Sequence, residues 1–129
     1  MSKLIEQTVM FEASPHEVYE ALMDSAKHAA FTNNEAHISR EVGGEYMSYA
    51  GYITGKNLEL VPDQKIVQTW RAVDWPANHF SQVTFVLTAL ASGTQLYFTH
   101  ANLPDGTEAE FTQGWIDNYW EPLKAYLEK

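Results

Sequence analysis

Hydrophobic and polar positions alternate with a period of two near the start of the chain. Ile5, Gln7, Val9 and Phe11 interleave there with Glu6, Thr8, Met10 and Glu12. That period predicts a first strand with Ile5, Val9 and Phe11 turned inward. Ser14, Pro15 and Glu17 then supply a hydroxyl cap, a proline at the first helical position and a carboxylate three residues after the cap, a capping box that opens a helix. Val18, Tyr19, Leu22 and Met23 share one face of it. Ser25 is expected to cap a second short helix carrying Ala26, Ala29, Ala30 and Phe31, which Asn33-Asn34 ends.

The middle of the chain reads as strands joined by turns. Residues 36–41 pair with residues 45–49 across Val42-Gly43-Gly44, and a turn at Ala50-Gly51 leads into a strand from Tyr52 to Leu60, with a bulge expected at Gly55. Pro62-Asp63-Gln64 turns the chain into Lys65 to Arg71. An irregular stretch around Trp75-Pro76 follows, with Trp75 expected to be exposed at a partner contact or a cavity rim. Val83, Phe85 and Leu87, then Leu96, Phe98 and His100, mark two adjacent antiparallel strands across Ala91-Ser92-Gly93. Thr107 with Glu110 is expected to form a second capping box, opening a last helix whose apolar face is Phe111, Trp115, Tyr119, Leu123, Tyr126 and Leu127. Pro122 lies inside that face and predicts a bend or break between Asn118 and Pro122. Strands followed by helices without strict alternation give an α+β fold.

At 129 residues the chain suits one domain spanning 1–129. No stretch approaches the roughly 20 apolar residues needed to cross a bilayer. Met1 to Gln7 carries neither an apolar signal core nor a small-residue cleavage site, which sets the expectation of a cytoplasmic protein. Seventeen acidic against eight basic residues give a net charge of −9, and the cations are scattered, so nucleic acid and anionic membranes are not expected as partners. Cysteine is absent, which removes disulfides, thiolate zinc sites and thiol nucleophiles.

No catalytic constellation stands out. Gly51-Tyr52-Ile53-Thr54-Gly55-Lys56-Asn57 is too short for a phosphate loop and falls inside a strand. His16, His28, His37, His79 and His100 show no metal-ligand spacing, and neither a metal nor a cofactor is expected. His16 and His28, near helix starts, are expected at the surface. His100 shares strand parity with Leu96 and Phe98 and so faces the interior, either as a hydrogen-bonded core histidine or as a polar group in a pocket. Trp70, Trp115, Tyr119 and Trp120 serve two overlapping readings, core packing and cavity lining.

The run from Gly51 to Arg71, continued through Trp75-Pro76 and His79-Phe80-Ser81, together with Gly114-Trp115 and Tyr119-Trp120, resembles the C-terminal domain of the activator of the heat-shock protein 90 ATPase. That domain belongs to the START-like, birch-pollen-allergen-like superfamily called SRPBCC. The resemblance runs from Ser14 to Trp120. It implies a helix-grip fold, a curved antiparallel sheet with two short helices near the N-terminus and a long C-terminal helix packed across it. It also implies a non-enzymatic domain holding a small apolar or amphipathic molecule between sheet and helix, with Phe31, Trp70, Phe85, Phe98, His100, Trp115 and Tyr119 as the expected ligand-binding residues. Two other readings come with it: a protein-interaction module acting through its surface on a partner such as a chaperone, and a cyclase- or hydratase-like enzyme using polar cavity groups, with His100 the first residue to suspect.

Overall fold

The computed structural model describes residues 4–128, and the part of the leader expectation that concerns residues 1–3 lies outside them. Seven antiparallel strands form one sheet in the order β1-β7-β6-β5-β4-β3-β2. Their ranges are β1 Leu4–Phe11, β2 His37–Ile38, β3 Glu45–Ser48, β4 Ile53–Val61, β5 Lys65–Ala72, β6 Ser81–Leu90 and β7 Gly93–Ala101. Two helices, α1 Pro15–Met23 and α2 Ser25–Thr32, separate β1 from β2. The chain ends in a long helix made of α3 Glu108–Trp115, a π-helical turn Ile116–Trp120 and α4 Glu121–Leu127.

Period-two burial places Ile5 and Phe11 of β1, Val83, Phe85 and Leu87 of β6, and Leu96, Phe98 and His100 of β7 on the inner face. The long helix lies against this face, with Trp115, Tyr119, Trp120 and Leu123 buried under it. Apolar surface buried here stabilises the fold by about 25 cal/mol per Å².

The first capping box forms as the sequence predicts. Ser14 Oγ accepts from the Glu17 amide at 3.2 Å, and Glu17 Oε1 accepts from the Ser14 amide at 3.0 Å. Elsewhere the local chemistry differs from expectation. Asp24, not Ser25, caps α2 by accepting from the Lys27 amide at 3.0 Å, while Ser25 Oγ accepts from the Ile38 amide and ties β2 to the helix. A carboxylate outcompetes the neighbouring hydroxyl because the helix N-terminus favours negative charge. Thr107 makes no side-chain cap. Its hydroxyl donates backwards to the Pro104 carbonyl at 2.7 Å, and its backbone is already helical.

The expected bulge at Gly55 lies instead between Asn57 and Glu59. Gly55 serves close approach: a Cβ there would sit 1.9 Å from the Thr69 carbonyl oxygen. The first hairpin is shorter than expected because buried Asn57 holds its turn, donating from Nδ2 to the Ser39 and Glu41 carbonyls. Trp75 is 8% exposed, contrary to the expectation of an exposed loop residue. Its ring packs on Trp70 and Phe111, while the Arg71 guanidinium donates to the Pro76 carbonyl at 3.0 Å and folds the loop inward.

Pro122 disturbs the last helix where the sequence places it. The Glu121 amide bonds to the Ile116 carbonyl, five residues back, so the turn before the proline is π-helical. The Asn118 carbonyl, which an α-helix would pair with the amide that proline lacks, accepts instead from the Tyr49 hydroxyl.

Replacing Ser14 with alanine removes one partner of an intact capping box, so Ser14→Ala should cost about 1 kcal/mol. Chemical denaturation would read this as a lowered midpoint at unchanged slope. An unaltered midpoint would show that the box contributes nothing.

Candidate functional site

The turn Tyr49–Gly51 has three successive left-handed residues, with φ of 51° at Tyr49, 57° at Ala50 and 95° at Gly51. Such backbone is costly for residues with a Cβ and persists where its surroundings fix it. Here the Ala50 amide donates to the Glu35 carbonyl at 2.9 Å, and the Tyr49 hydroxyl reaches the long helix. The turn is thereby held off the helix by the length of a tyrosine side chain.

Between them lies a cleft of about 490 Å³. Trp70, Phe111, Trp115, Tyr119 and Ile53 form its apolar back. One lip is Tyr49 and Tyr52, and the other is the helix stripe Glu110, Gln113, Gly114 and Asp117, with Asn118. These stripe positions recur at helical spacing and so share a face. Gly114 sits in the middle of that stripe. A Cβ built on it would meet only Asn118 Nδ2, at 3.9 Å.

The space directly between sheet and helix is filled. Trp70 and His100 rings lie 4.8 Å apart, Trp70 and Trp115 5.7 Å, Phe98 and Trp115 4.4 Å, and Phe85 and Phe98 5.2 Å. A void of about 20 Å³ remains near His28, Ser48, Phe85 and Tyr119, roughly room for one water. The seven residues expected to bind a ligand thus form one aromatic assembly, which Phe31 joins through Tyr119 at 5.9 Å. Of these, Trp70, Trp115 and Tyr119 reach the cleft, while Phe31, Phe85, Phe98 and His100 lie behind them.

His100 is fully buried and both ring nitrogens are occupied. Trp115 Nε1–H donates to Nδ1 at 3.0 Å, so the proton resides on Nε2, which donates to Ser81 Oγ at 2.7 Å. Ser81 passes its own proton to the Trp70 carbonyl at 2.7 Å. One neutral tautomer satisfies every group, and burial pushes the imidazole down to about 3.

His28 is buried too, 6% exposed, contrary to the surface position expected from its place near a helix start. It shares a helical face with Phe31 and Thr32, a signal that was present in the sequence. Its Nδ1–H donates to the Leu22 carbonyl at 3.2 Å, leaving Nε2 to accept from the Tyr119 hydroxyl at 3.4 Å. Ser48 Oγ completes the chain at 3.1 Å from that hydroxyl. Burial lowers His28 to about 4, outweighing the Leu22 carbonyl, and raises Tyr119. Neither histidine presents a free nitrogen to the cleft. Among the described residues no group of three or more histidines and carboxylates could hold a metal ion, and no helix is long and apolar enough to cross a membrane.

Sequence reasoning missed Tyr49, Tyr52, Glu110, Gly114 and Asp117 as lining residues. Gly114 had a signal, an isolated glycine inside a helical pattern. The two tyrosines had none, because a turn carries no periodicity.

A family model described as Activator of Hsp90 ATPase homolog 1-like protein matches residues 12–128. The human protein named Activator of 90 kDa heat shock protein ATPase homolog 1 is 31% identical over 114 residues, covering 88% of this chain and 34% of that protein. The chain spans about a third of the length of the curated relatives it matches. A crystal structure of an HSP90 activator from Plasmodium falciparum superposes with a TM-score of 0.92 at 25% identity, covering 97% of this chain and 96% of that one. The solution structure of the Aha1 dimer from Colwellia psychrerythraea shares the fold, with a TM-score of 0.83 at 22% identity over 98% of this chain and 96% of that one.

Both buried histidines are held neutral below their ordinary value of 6.5. The unfolded chain therefore takes up these protons first, and stability is full above pH 6.5 and falls as pH drops toward the folded-state values of about 4 and about 3. Each fully titrating histidine should contribute up to about 1.4 kcal/mol per pH unit to the slope. Denaturation midpoints measured from pH 6.5 down to about 5, above the main carboxylate range, should fall in the parent protein and fall less steeply in His28→Gln and His100→Gln. Equal slopes in all three proteins would contradict burial as the cause.

Proposed function

The chain belongs to the Activator of Hsp90 ATPase homolog 1-like family, and from that premise we propose that it is a non-enzymatic binding domain whose cleft holds a small apolar or amphipathic molecule. Gly114 is the observation that carries this. Glycine inside a helix costs about 1 kcal/mol relative to alanine, and here there is ample room for a Cβ. No steric need in the described structure accounts for it. Openness of the cleft does, since any larger side chain at this position would project into the space between the helix and Tyr52. The aromatic back wall and the few polar groups at the lips are what small-molecule sites are built from. The saturated histidines support a binding role over acid or base catalysis, which needs a ring nitrogen within reach of substrate.

A second reading, regulation of a chaperone ATPase through the protein surface, draws support from the Plasmodium activator, which matches this chain over nearly its whole length. It also has a physical candidate. The outer face of the sheet carries a depression of about 500 Å³ bordered by Met47, Lys56 and Phe80, the last 46% exposed. Stimulation of the ATPase of an Hsp90-class chaperone by the purified protein, lost on Phe80→Ser but kept on Gly114→Phe, would favour the surface over the cleft.

Substitution at Gly114 tests the cleft directly. Gly114→Ala should raise stability by up to about 1 kcal/mol, because the residue is helical and its Cβ is unopposed. Gly114→Phe should fold and yet lose the thermal shift and indole fluorescence change that apolar compounds give in the parent protein, since a ligand stabilises only the state that binds it. Retained binding in Gly114→Phe would place the site elsewhere.

A further inference from the structure

The cleft has an apolar back but lips of one charge. The ionisable side chains among its described lining residues, the tyrosines apart, are Glu110 and Asp117, both exposed, and no lysine, arginine or histidine lines it. The two carboxylates lie two helical turns apart, about 10 Å along the axis, on either side of Gly114. The opposite lip adds to the same sign. Tyr52 donates its phenol proton to the Asp74 carboxylate at 3.4 Å, bringing a third negative charge to the mouth.

The phenols reinforce this polarity. Tyr49 gives its proton to the Asn118 carbonyl and Tyr52 gives its proton to Asp74, so both oxygens offer the cleft lone pairs only. Burial raises Tyr49 to about 12, and burial together with the charges of Asp74 and Glu110 raises Tyr52, so both stay neutral near pH 7. Behind them stand the indole and phenyl rings of Trp70, Trp115 and Phe111, which supply the apolar surface of the cleft. A carboxylate or phosphate head group would meet the like charges of Glu110 and Asp117, and as donors the neutral side-chain amides of Gln113 and Asn118 in place of a cation, within a chain of net charge −9.

Building on the cleft as a binding site, we propose that its preferred occupant is an amphipathic cation, an amine or quaternary ammonium carried on an apolar body. The apolar body lies against Trp70, Trp115 and Phe111, and the ammonium sits at the mouth between Glu110, Asp117 and Tyr52.

The test compares three probes with the same ten-carbon tail, decyltrimethylammonium, decanoate and decanol, each below its micelle concentration. Indole fluorescence and the thermal midpoint are read at low and high ionic strength. The ammonium probe should bind about tenfold more tightly than either other probe at low salt, and the gap should narrow at high salt because the carboxylates are exposed. The double variant E110Q/D117N should lose most of that gap while still binding decanol like the parent protein. Equal affinity for the three probes, or tighter decanoate, would overturn the cation preference and leave the cleft reading standing. An ammonium preference that survives unchanged in E110Q/D117N or in Gly114→Phe would assign it to the general negative surface and overturn the proposal. Failure of all three probes to bind would overturn the cleft reading with it.

Discussion

A proline in the last helix sets the geometry on which the rest of the molecule depends. Pro122 cannot donate an amide, and an unbroken α-helix would leave the Asn118 carbonyl without a backbone partner. The chain answers with a π-helical turn from Ile116 to Trp120. Closing a turn five residues back sets positions i+4 and i+5 together over position i. Trp115 accordingly packs on both Tyr119, with ring centroids 4.5 Å apart, and Trp120, stacked at 5.5 Å. Three large aromatics from one short stretch enter the core, which an ordinary α-helical repeat would spread over a wider arc. The displaced backbone is satisfied from outside the helix. Tyr49 serves the Asn118 carbonyl, and Gln7 of β1 donates to the Thr112 carbonyl while accepting from Trp120 Nε1. Each repair ties the helix to a different part of the fold.

Two polar chains run through the aromatic assembly that results. One passes from Trp115 through His100 and Ser81 to the Trp70 backbone, and the other from Ser48 through Tyr119 and His28 to the Leu22 backbone. Each ends on a carbonyl, which only accepts, so the direction of every proton along the chain is fixed. Among the described residues no buried side-chain polar atom lacks a partner. Such networks cost little when complete and a great deal when one member is missing, so they specify a single arrangement of sheet and helix. They also remove the histidines from chemistry, because a nitrogen committed to a buried partner cannot reach a substrate.

Much of this was legible from the residues alone. The strands show their period of two, Ser14 and Glu17 declare the first helix, and Pro122 announces the disturbance in the last one. The inward direction of His100 followed from strand parity. What escaped was set by tertiary competition. Asp24 displaced Ser25 as a cap, Thr107 turned its hydroxyl to Pro104, and Trp75 was drawn inside by Arg71 folding its loop. The cleft was the least legible part, because its lips come from a turn with no periodicity and from the polar stripe of a helix. The sequence pattern points to residues that are buried, whereas a binding surface is made where burial stops.

That boundary explains how one set of aromatics can serve both core and site. Trp70, Trp115 and Tyr119 are almost wholly buried, yet they also line the cleft. The same packing that closes the interior between sheet and helix therefore fixes the back of the cleft, which on the proposed reading lowers the cost of ordering side chains around a ligand. Mutating these rings would damage the fold together with any binding at the cleft. The lips are different: Glu110 and Asp117 are exposed, Asp117 accepting only from the Gln113 side chain on the same helix among the hydrogen bonds described, and the chemistry at these positions and at Gly114 is free to vary without disturbing the core. On the proposed reading, stability resides in the back wall and selectivity at the mouth, so changes at a few exposed positions on one helical stripe would alter what the cleft binds and leave the aromatic assembly intact.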